Sequence, residues 1–374
     1  MSELATLAGK RIDLIAGARP NFVKIAPIID ALKAAQARGG RLTYRLVHTG
    51  QHYDRAMSSG FFEQLGIPEP DINLQVGSGT QAEQTAAIMV RYEKVLLEQR
   101  SDLCLVVGDV TSTMACSIVA RKLGVPVAHV EGGIRSGDWA MPEEINRVVT
   151  DSIANWFFTT SETANQNLIC SGIAADRIFF VGNTMIDTLR KQMPRFSPPP
   201  FWGALGLEAH KYLVLTLHRP GNVDDERKLL QLLQAIVRGA GGLPIVFPVH
   251  PRTAKNLREL QDQIPSMYYV DPQGYLEFNY LVQNAKGVIT DSGGITEETT
   301  VMGVPCLTMR DSTERPETVI MGTNELVGSD HNKLEPALAR LMAGQWKLGA
   351  IPEKWDGRSA ERIVDALENL LNVR

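Results

Sequence analysis

Residues 287–308 read GVITDSGGITEETTVMGVPCLT. An apolar run, Gly287–Thr290, gives way at a Ser-Gly-Gly turn to a stretch of helical period. A second apolar run, Pro305–Thr308, follows. Short apolar runs separated by a helix-length segment are the mark of parallel strands buried on both faces and joined by a crossover helix. The pattern repeats outward in both directions. Strands are expected near residues 11–16, 43–48, 103–107, 125–129, 156–159 and 178–181, and again near 212–216, 244–249, 267–270, 287–290 and 305–308. Between them lie amphipathic segments. Residues 20–35 begin with Pro20 in a first helical turn, and residues 80–99 open with Thr80 and Glu83 at capping-box spacing.

The repetition implies an α/β chain with two parallel sheets. Its 374 residues suit about two domains. The stretch PRFSPPPFWG, residues 194–203, carries four prolines, which favour an extended, stiff connector. The last helix, residues 358–371, aligns Ile363, Leu367, Leu370 and Leu371 on one stripe that must be buried.

Charge excludes several functions. There are 38 Lys and Arg against 42 Asp and Glu, a net charge of -4, so neither nucleic acid nor an anionic membrane is an expected partner. Mean hydropathy is -0.09, and no apolar run is long enough for membrane insertion. The N-terminal residues lack a secretory pattern. Cys104, Cys116, Cys170 and Cys306 have no framework spacing and are expected to be small buried hydrophobes in a reducing compartment, so the chain is placed in the cytoplasm.

In an open parallel sheet, ligands bind beyond the carboxyl ends of the strands. The residues there are GARPN (17–21), HTGQHYD (48–54), GDVTST (108–113), HVEGG (129–133), LHRPGN (217–222), VHPR (249–252) and DSGG (291–294). Five of the seven histidines, His48, His52, His129, His218 and His250, fall in or beside these loops. Two loaded edges imply a cleft between domains. Ser292, Gly293 and Gly294 stand where a strand turns into a helix, so free N–H groups and the helix dipole would receive a phosphate there. The plainer reading is a helix start stabilised by Glu297 and Glu298. Arg19 and Lys24 could add positive charge to the same anion from the opposite domain. Asp109, Glu131, Glu143 and Glu144, close to His129 and Arg135, form a carboxylate cluster whose members would shift one another's pKa, a basis for acid and base roles. No metal is expected: His48 and His52 are four apart near Asp54, but Gly50 and the loop keep them off one helical face. GxGxxG, Walker and GxSxG motifs are all missing, which weakens NAD, ATP and α/β-hydrolase readings.

Eight segments together resemble the non-hydrolysing UDP-N-acetylglucosamine 2-epimerases over nearly the whole chain. They are GARPNFVKIAPII, HTGQHYD, GDVTSTMAC, HVEGGIRSGD with MPEEINR, GNTMIDTL, LHRPGNVD, FPVHPR, and DSGGITEETTVMGVPCLTMRDSTERPETV. The resemblance implies a GT-B-like fold. Residues 1–190 would form one Rossmann-like domain, 191–205 the proline-rich linker, 206–357 a Rossmann-like nucleotide-binding domain, and 358–374 a helix returning to the first domain. It implies interconversion of UDP-N-acetylglucosamine and UDP-N-acetylmannosamine by anti elimination of UDP and re-addition through a 2-acetamidoglucal, without a cofactor, in a homodimer. Catalysis would fall on Asp109, Glu131, Glu143 and His218, with Asp109 and Glu131 moving the proton at carbon two. Phosphate would meet Arg19, His250, Ser292, Gly293 and Gly294, with Lys24 and Arg315 near the diphosphate. Glu298 would hold the ribose, and Phe278 would pack on uracil. The chain departs from the family pattern beside His218, where HRPGN stands in place of HRRE. Alternatives are epimerisation of a UDP-2,3-diacetamido uronic acid, a hydrolysing 2-epimerase, and a GT-B glycosyltransferase.

Overall fold

The computed structural model describes residues 9–50, 64–249, 257, 264, 266–328 and 331–373. Gln51, His52, Asp54 and His250 lie outside them. The chain divides into two compact units, residues 1–191 with 353–374, and residues 192–352.

The first unit holds β1 (Lys10–Ala16), α1 (Arg19–Ala37), β2 (Leu42–His48), β3 (Ile72–Asn73), α2 (Gln81–Glu98), β4 (Leu103–Val107), α3 (Thr111–Lys122), β5 (Val127–Val130), α4 (Pro142–Ile153), β6 (Trp156–Thr159), α5 (Glu162–Cys170), β7 (Ile178–Phe180) and α6 (Thr184–Gln192). Its strands are all parallel in the order β3-β2-β1-β4-β5-β6-β7. One face packs Ile15, Val47, Cys104, Val106, Val127 and Phe157 on Ile88, Tyr92 and Leu96 of α2 and on α3. The Thr80–Glu83 capping box is present: Glu83 N–H donates to Thr80 Oγ1 at 3.3 Å, and Thr80 N–H donates to Glu83 Oε2 at 2.8 Å.

The second unit holds β8 (Leu213–Thr216), α7 (Pro220–Val223), α8 (Glu226–Gly239), β9 (Ile245–Pro248), β10 (Met267–Val270), α9 (Tyr275–Gln283), β11 (Gly287–Thr290), α10 (Gly293–Met302), β12 (Cys306–Thr308), α11 (Pro316–Ile320), β13 (Asn324–Leu326) and α12 (His331–Met342). Its parallel order is β10-β9-β8-β11-β12-β13. The period-two alternation of side chains divides β8 between two cores: Leu213 and Leu215 face one apolar cluster, Tyr212 and Val214 the other.

The proline stretch is not a bare extended connector. Met193–Arg195 is a 3-10 turn, and Phe201, Trp202 and Leu205 pack on the second unit's core, Trp202 edge-on to Tyr212 and Tyr280. The last helix, α13 (Ser359–Leu370), belongs to the first unit, where it buries Ile363, Val364 and Leu367. Trp355, just before it, is fully buried and donates Nε1–H to the Thr160 carbonyl. Among the four cysteines, Cys170 corrects the expectation of burial. It closes α5 on the exposed side, while the other three are buried. Among the described residues, no helix is long and apolar enough to cross a membrane.

Both sheets reverse strand order once, between β1 and β4 and between β8 and β11. In a parallel sheet the crossovers leave opposite faces at such a point and open a crevice at the strands' carboxyl ends.

Candidate functional site

At the reversal in the first sheet, Asn21 ties the loops together. Its Oδ1 accepts from the N–H groups of Gly17 and Ala18, and its Nδ2 donates to the Val107 carbonyl. Gly108 follows at φ +69°, where an added Cβ would lie 3.4 Å from Lys24 Nζ and 3.6 Å from Glu131 Oε2. The positive φ favours glycine there, while the space alone would admit a Cβ. Glu131 itself holds a positive φ of 69°, uncommon for a residue with a side chain. It is buried, and its Oε2 accepts from Lys24 Nζ at 2.8 Å. Lys24 is thus ion-paired with a carboxylate of its own unit.

Asp109 stands one residue further along, with 31% of its side chain exposed. Its Oδ2 accepts from Nε (3.0 Å) and Nη2 (2.6 Å) of the buried Arg147. The other edge of that guanidinium meets Glu144 Oε2 at 2.6 Å. Burial by itself would raise Glu144, but N–H donation from Ser136 and Gly137, with Arg147, holds its pKa below the usual carboxylate value. Of the expected cluster, Asp109 and Glu144 are joined through Arg147, and Glu131 lies beside Gly108, the residue before Asp109. Each of these three carboxylates is paired with a basic side chain. Glu143, half-buried in the first turn of α4, has no hydrogen bond or ion pair among the described residues.

Behind this group, His129 is fully buried between Asp151 Oδ1 (2.7 Å at Nδ1) and the Gly108 carbonyl (2.8 Å at Nε2). Asp151 also accepts from Gly133 N–H and from Arg135, and these partners with His129 outweigh its burial and lower its pKa. His129 and Arg135 are therefore braces for the Gly108–Asp109 turn. His48, another edge histidine, is buried against Phe22 and pushed down to about 4 by burial, so it is uncharged at neutral pH.

The second sheet's reversal carries the second group. His218, two residues past β8, places Nδ1 2.6 Å from Asp291 Oδ1. Asp291 is fully buried at the end of β11 and also accepts from the N–H groups of His218 and Arg219 and from Asn222 Nδ2. Those partners overcome the effect of burial and lower its pKa. The Pro220-Gly221-Asn222 departure forms the short helix α7 and supplies one of them. Ser292 is the N-cap of α10 with no side-chain cap, and Gly293 and Gly294 are its first two residues. The first-turn N–H groups thus have no capping side chain.

Glu297 and Glu298 do not stabilise the start of that helix. They are buried one turn in, Glu297 on Arg315 Nε at 2.6 Å and Glu298 on the Tyr275 hydroxyl, which donates at 2.9 Å. Burial raises Glu298 to about 7 despite that hydroxyl. Phe278, on α9, is partly buried beside the cluster formed by Tyr212, Val214 and Val288. Arg19 is the first residue of α1. Among the described residues no group of three or more His, Cys, Asp or Glu could hold a metal ion.

Sequence reasoning left Arg147, Asp151, Asp291 and Tyr275 without roles. Glu144, Arg147 and Asp151, three and four apart on α4, were the available signal: helical spacing puts them on one face. The 38-residue separation of Asp109 from Arg147 left no such trace.

A model of the UDP-N-acetylglucosamine 2-epimerase family matches residues 33–368. The UDP-N-acetylglucosamine 2-epimerase of Methanocaldococcus jannaschii is 40% identical over 370 residues, covering 96% of this chain and 98% of that protein. The UDP-2,3-diacetamido-2,3-dideoxy-D-glucuronate 2-epimerase of Pseudomonas aeruginosa is 37% identical over 364 residues, 96% of this chain and all of that protein. The crystal structure of the Methanocaldococcus jannaschii enzyme in complex with UDP-GlcNAc and UDP superposes with a TM-score of 0.86 at 40% identity, covering 96% and 99% of the two chains. With its two doubly wound sheets, the chain belongs to the UDP-N-acetylglucosamine 2-epimerase family.

Proposed function

We propose that the protein interconverts UDP-N-acetylglucosamine and UDP-N-acetylmannosamine without hydrolysing them. The observation that carries this reading is the pair Asp109 and Glu131 at the carboxyl edge of the first sheet, Asp109 ion-paired with Arg147 and Glu131 with Lys24. Inverting carbon two needs a group that removes its proton on one face and a group that returns one on the other. In the elimination half, the C2–H pair forms the C1–C2 double bond while the C1–O pair leaves with UDP. The re-addition reverses these movements after the proton has come back to the opposite face. Asp109 and Glu131 take the proton-transfer roles, with Glu143 as the third carboxylate and His218 as the catalytic histidine of the second unit.

The leaving diphosphate is received by Arg19, His250, Ser292, Gly293 and Gly294, with Lys24 and Arg315 near it. Glu298 holds the ribose: protonated, it can donate to a hydroxyl, and ionised it can accept from one. Phe278 packs on the uracil. The working form is a cytoplasmic homodimer. The Methanocaldococcus jannaschii structure in complex with UDP-GlcNAc and UDP supports the choice of substrate. The Pseudomonas aeruginosa relative, with a diacetamido uronic acid in its name, supports that sugar as the second reading.

Proton NMR in heavy water tests the proposal. Protein and UDP-N-acetylglucosamine, with no added cofactor, should yield the manno epimer carrying deuterium at carbon two. Free N-acetylmannosamine would select hydrolysis, and a manno product with protium at carbon two would rule out elimination and re-addition.

A further inference from the structure

Arg310 lies two residues past β12, and the pairing of Thr290 with Thr308 sets it level with Ser292 on the neighbouring strand end. It is 7% exposed, an unusual state for a guanidinium that must keep its donors satisfied. Its Nη2 lies 2.7 Å from Glu314 Oε2. Its Nη1 is buried without a hydrogen-bond partner among the described residues. That nitrogen is 3.7 Å from the place a Cβ would take on Gly293, the first residue of α10. The uncapped N–H groups of α10 and a buried, unsatisfied guanidinium edge therefore meet at one point. Both are donors of positive potential.

The surroundings hold this arrangement. A Cβ on Gly293 would stand 2.8 Å from Glu314 Oε1, so a side chain there would push Glu314 away and release Arg310. Glu314 is held down at about 2 by Arg310 and Arg315 against its burial, and so stays ionised as the anchor of one guanidinium edge. Glu297 neutralises Arg315 in the same way. With Nη2 on Glu314, Arg310 Nη1 remains a buried donor without a hydrogen-bond partner among the described residues.

We propose that Arg310 binds the diphosphate of the nucleotide, completing with Ser292, Gly293 and Gly294 an anion seat in which Glu314 orients the guanidinium. The proposal rests on the reading of that helix start as the phosphate site. Calorimetric titration with UDP, and with uridine by competition, tests it. Arg310→Met should weaken UDP by about tenfold or more and Arg310→Lys by about threefold, with uridine unchanged, as loss of a charge-assisted hydrogen bond to phosphate requires. The double variant Arg310→Met with Glu314→Gln removes both members of the pair, so no carboxylate is left stranded. It should show the same loss if the single variant does not fold. UDP affinity within twofold of the unaltered protein, or a parallel loss of uridine affinity, would overturn the proposal. Failure of the unaltered protein to bind UDP would instead remove the functional reading beneath it.

Discussion

The two sheet reversals solve opposite electrostatic problems. In the first unit four carboxylates around the reversal have basic partners: Asp109 and Glu144 share Arg147, Glu131 has Lys24, and Asp151 has His129 and Arg135. Charge is fixed there, and each side chain has one place to be. In the second unit the corresponding edge offers an uncapped helix start, and one turn further in lies Glu298, whose partners, the Tyr275 hydroxyl and the Asn279 amide, are neutral. Fixed charges suit a site where a proton must move between defined positions. Open donors and an acid whose pKa is raised suit one where an anion and hydroxyl groups are to be held.

The contrast breaks most completely at Arg147. Arg147→Met leaves Asp109 and the buried Glu144 without their common cation. It should cost about 3 to 5 kcal/mol in urea unfolding, as for other half-removed buried ion pairs, and abolish measurable epimerisation. Retained activity would mean that Asp109 does not need its charge fixed. Asp291→Asn should be milder. The fold stays, but His218 loses the acceptor that sets its ring, so kcat should fall about a hundredfold while KM changes by less than about threefold. An effect confined to KM would make the Asp291–His218 pair a binding feature.

The smallest effect concerns Glu298. Its pKa in the folded chain is raised to about 7 from an ordinary 4.5. Below pH 4.5 it is protonated folded and unfolded, so it has no effect on stability. As pH rises to 7 the unfolded chain releases the proton first, and the folded state loses on the order of 1 to 3 kcal/mol by this linkage. Glu298→Gln should flatten that decline in thermal melts taken from pH 4.5 to 8. An unchanged slope would show that Glu298 titrates normally.

Much of this architecture is legible in the sequence. The strands at Leu103–Val107, Trp156–Thr159 and Gly287–Thr290 fall on the residues their apolar runs mark out, because a strand buried on both faces leaves an unbroken signal; the edge strand Met267–Val270 is found as well, through its run of β-forming residues. The edge strands β3 and β13, two and three residues long, go unseen. Each pairs on one side alone and needs no apolar run. The same division holds at the site. The Thr80–Glu83 box and the Ser292–Gly294 turn are local and readable. The partners that set charge, Arg147 for Asp109 and Tyr275 for Glu298, come from other elements and become visible in three dimensions.

The central claim is that UDP leaves carbon one and returns to it. The direct measurement supplies the intermediate from outside. The protein is incubated with 2-acetamidoglucal and UDP, and the mixture is followed by phosphorus and proton NMR. Formation of both UDP-N-acetylglucosamine and UDP-N-acetylmannosamine is the result the account predicts. A preparation that epimerises UDP-N-acetylglucosamine yet forms no nucleotide sugar from the glucal and UDP would contradict it.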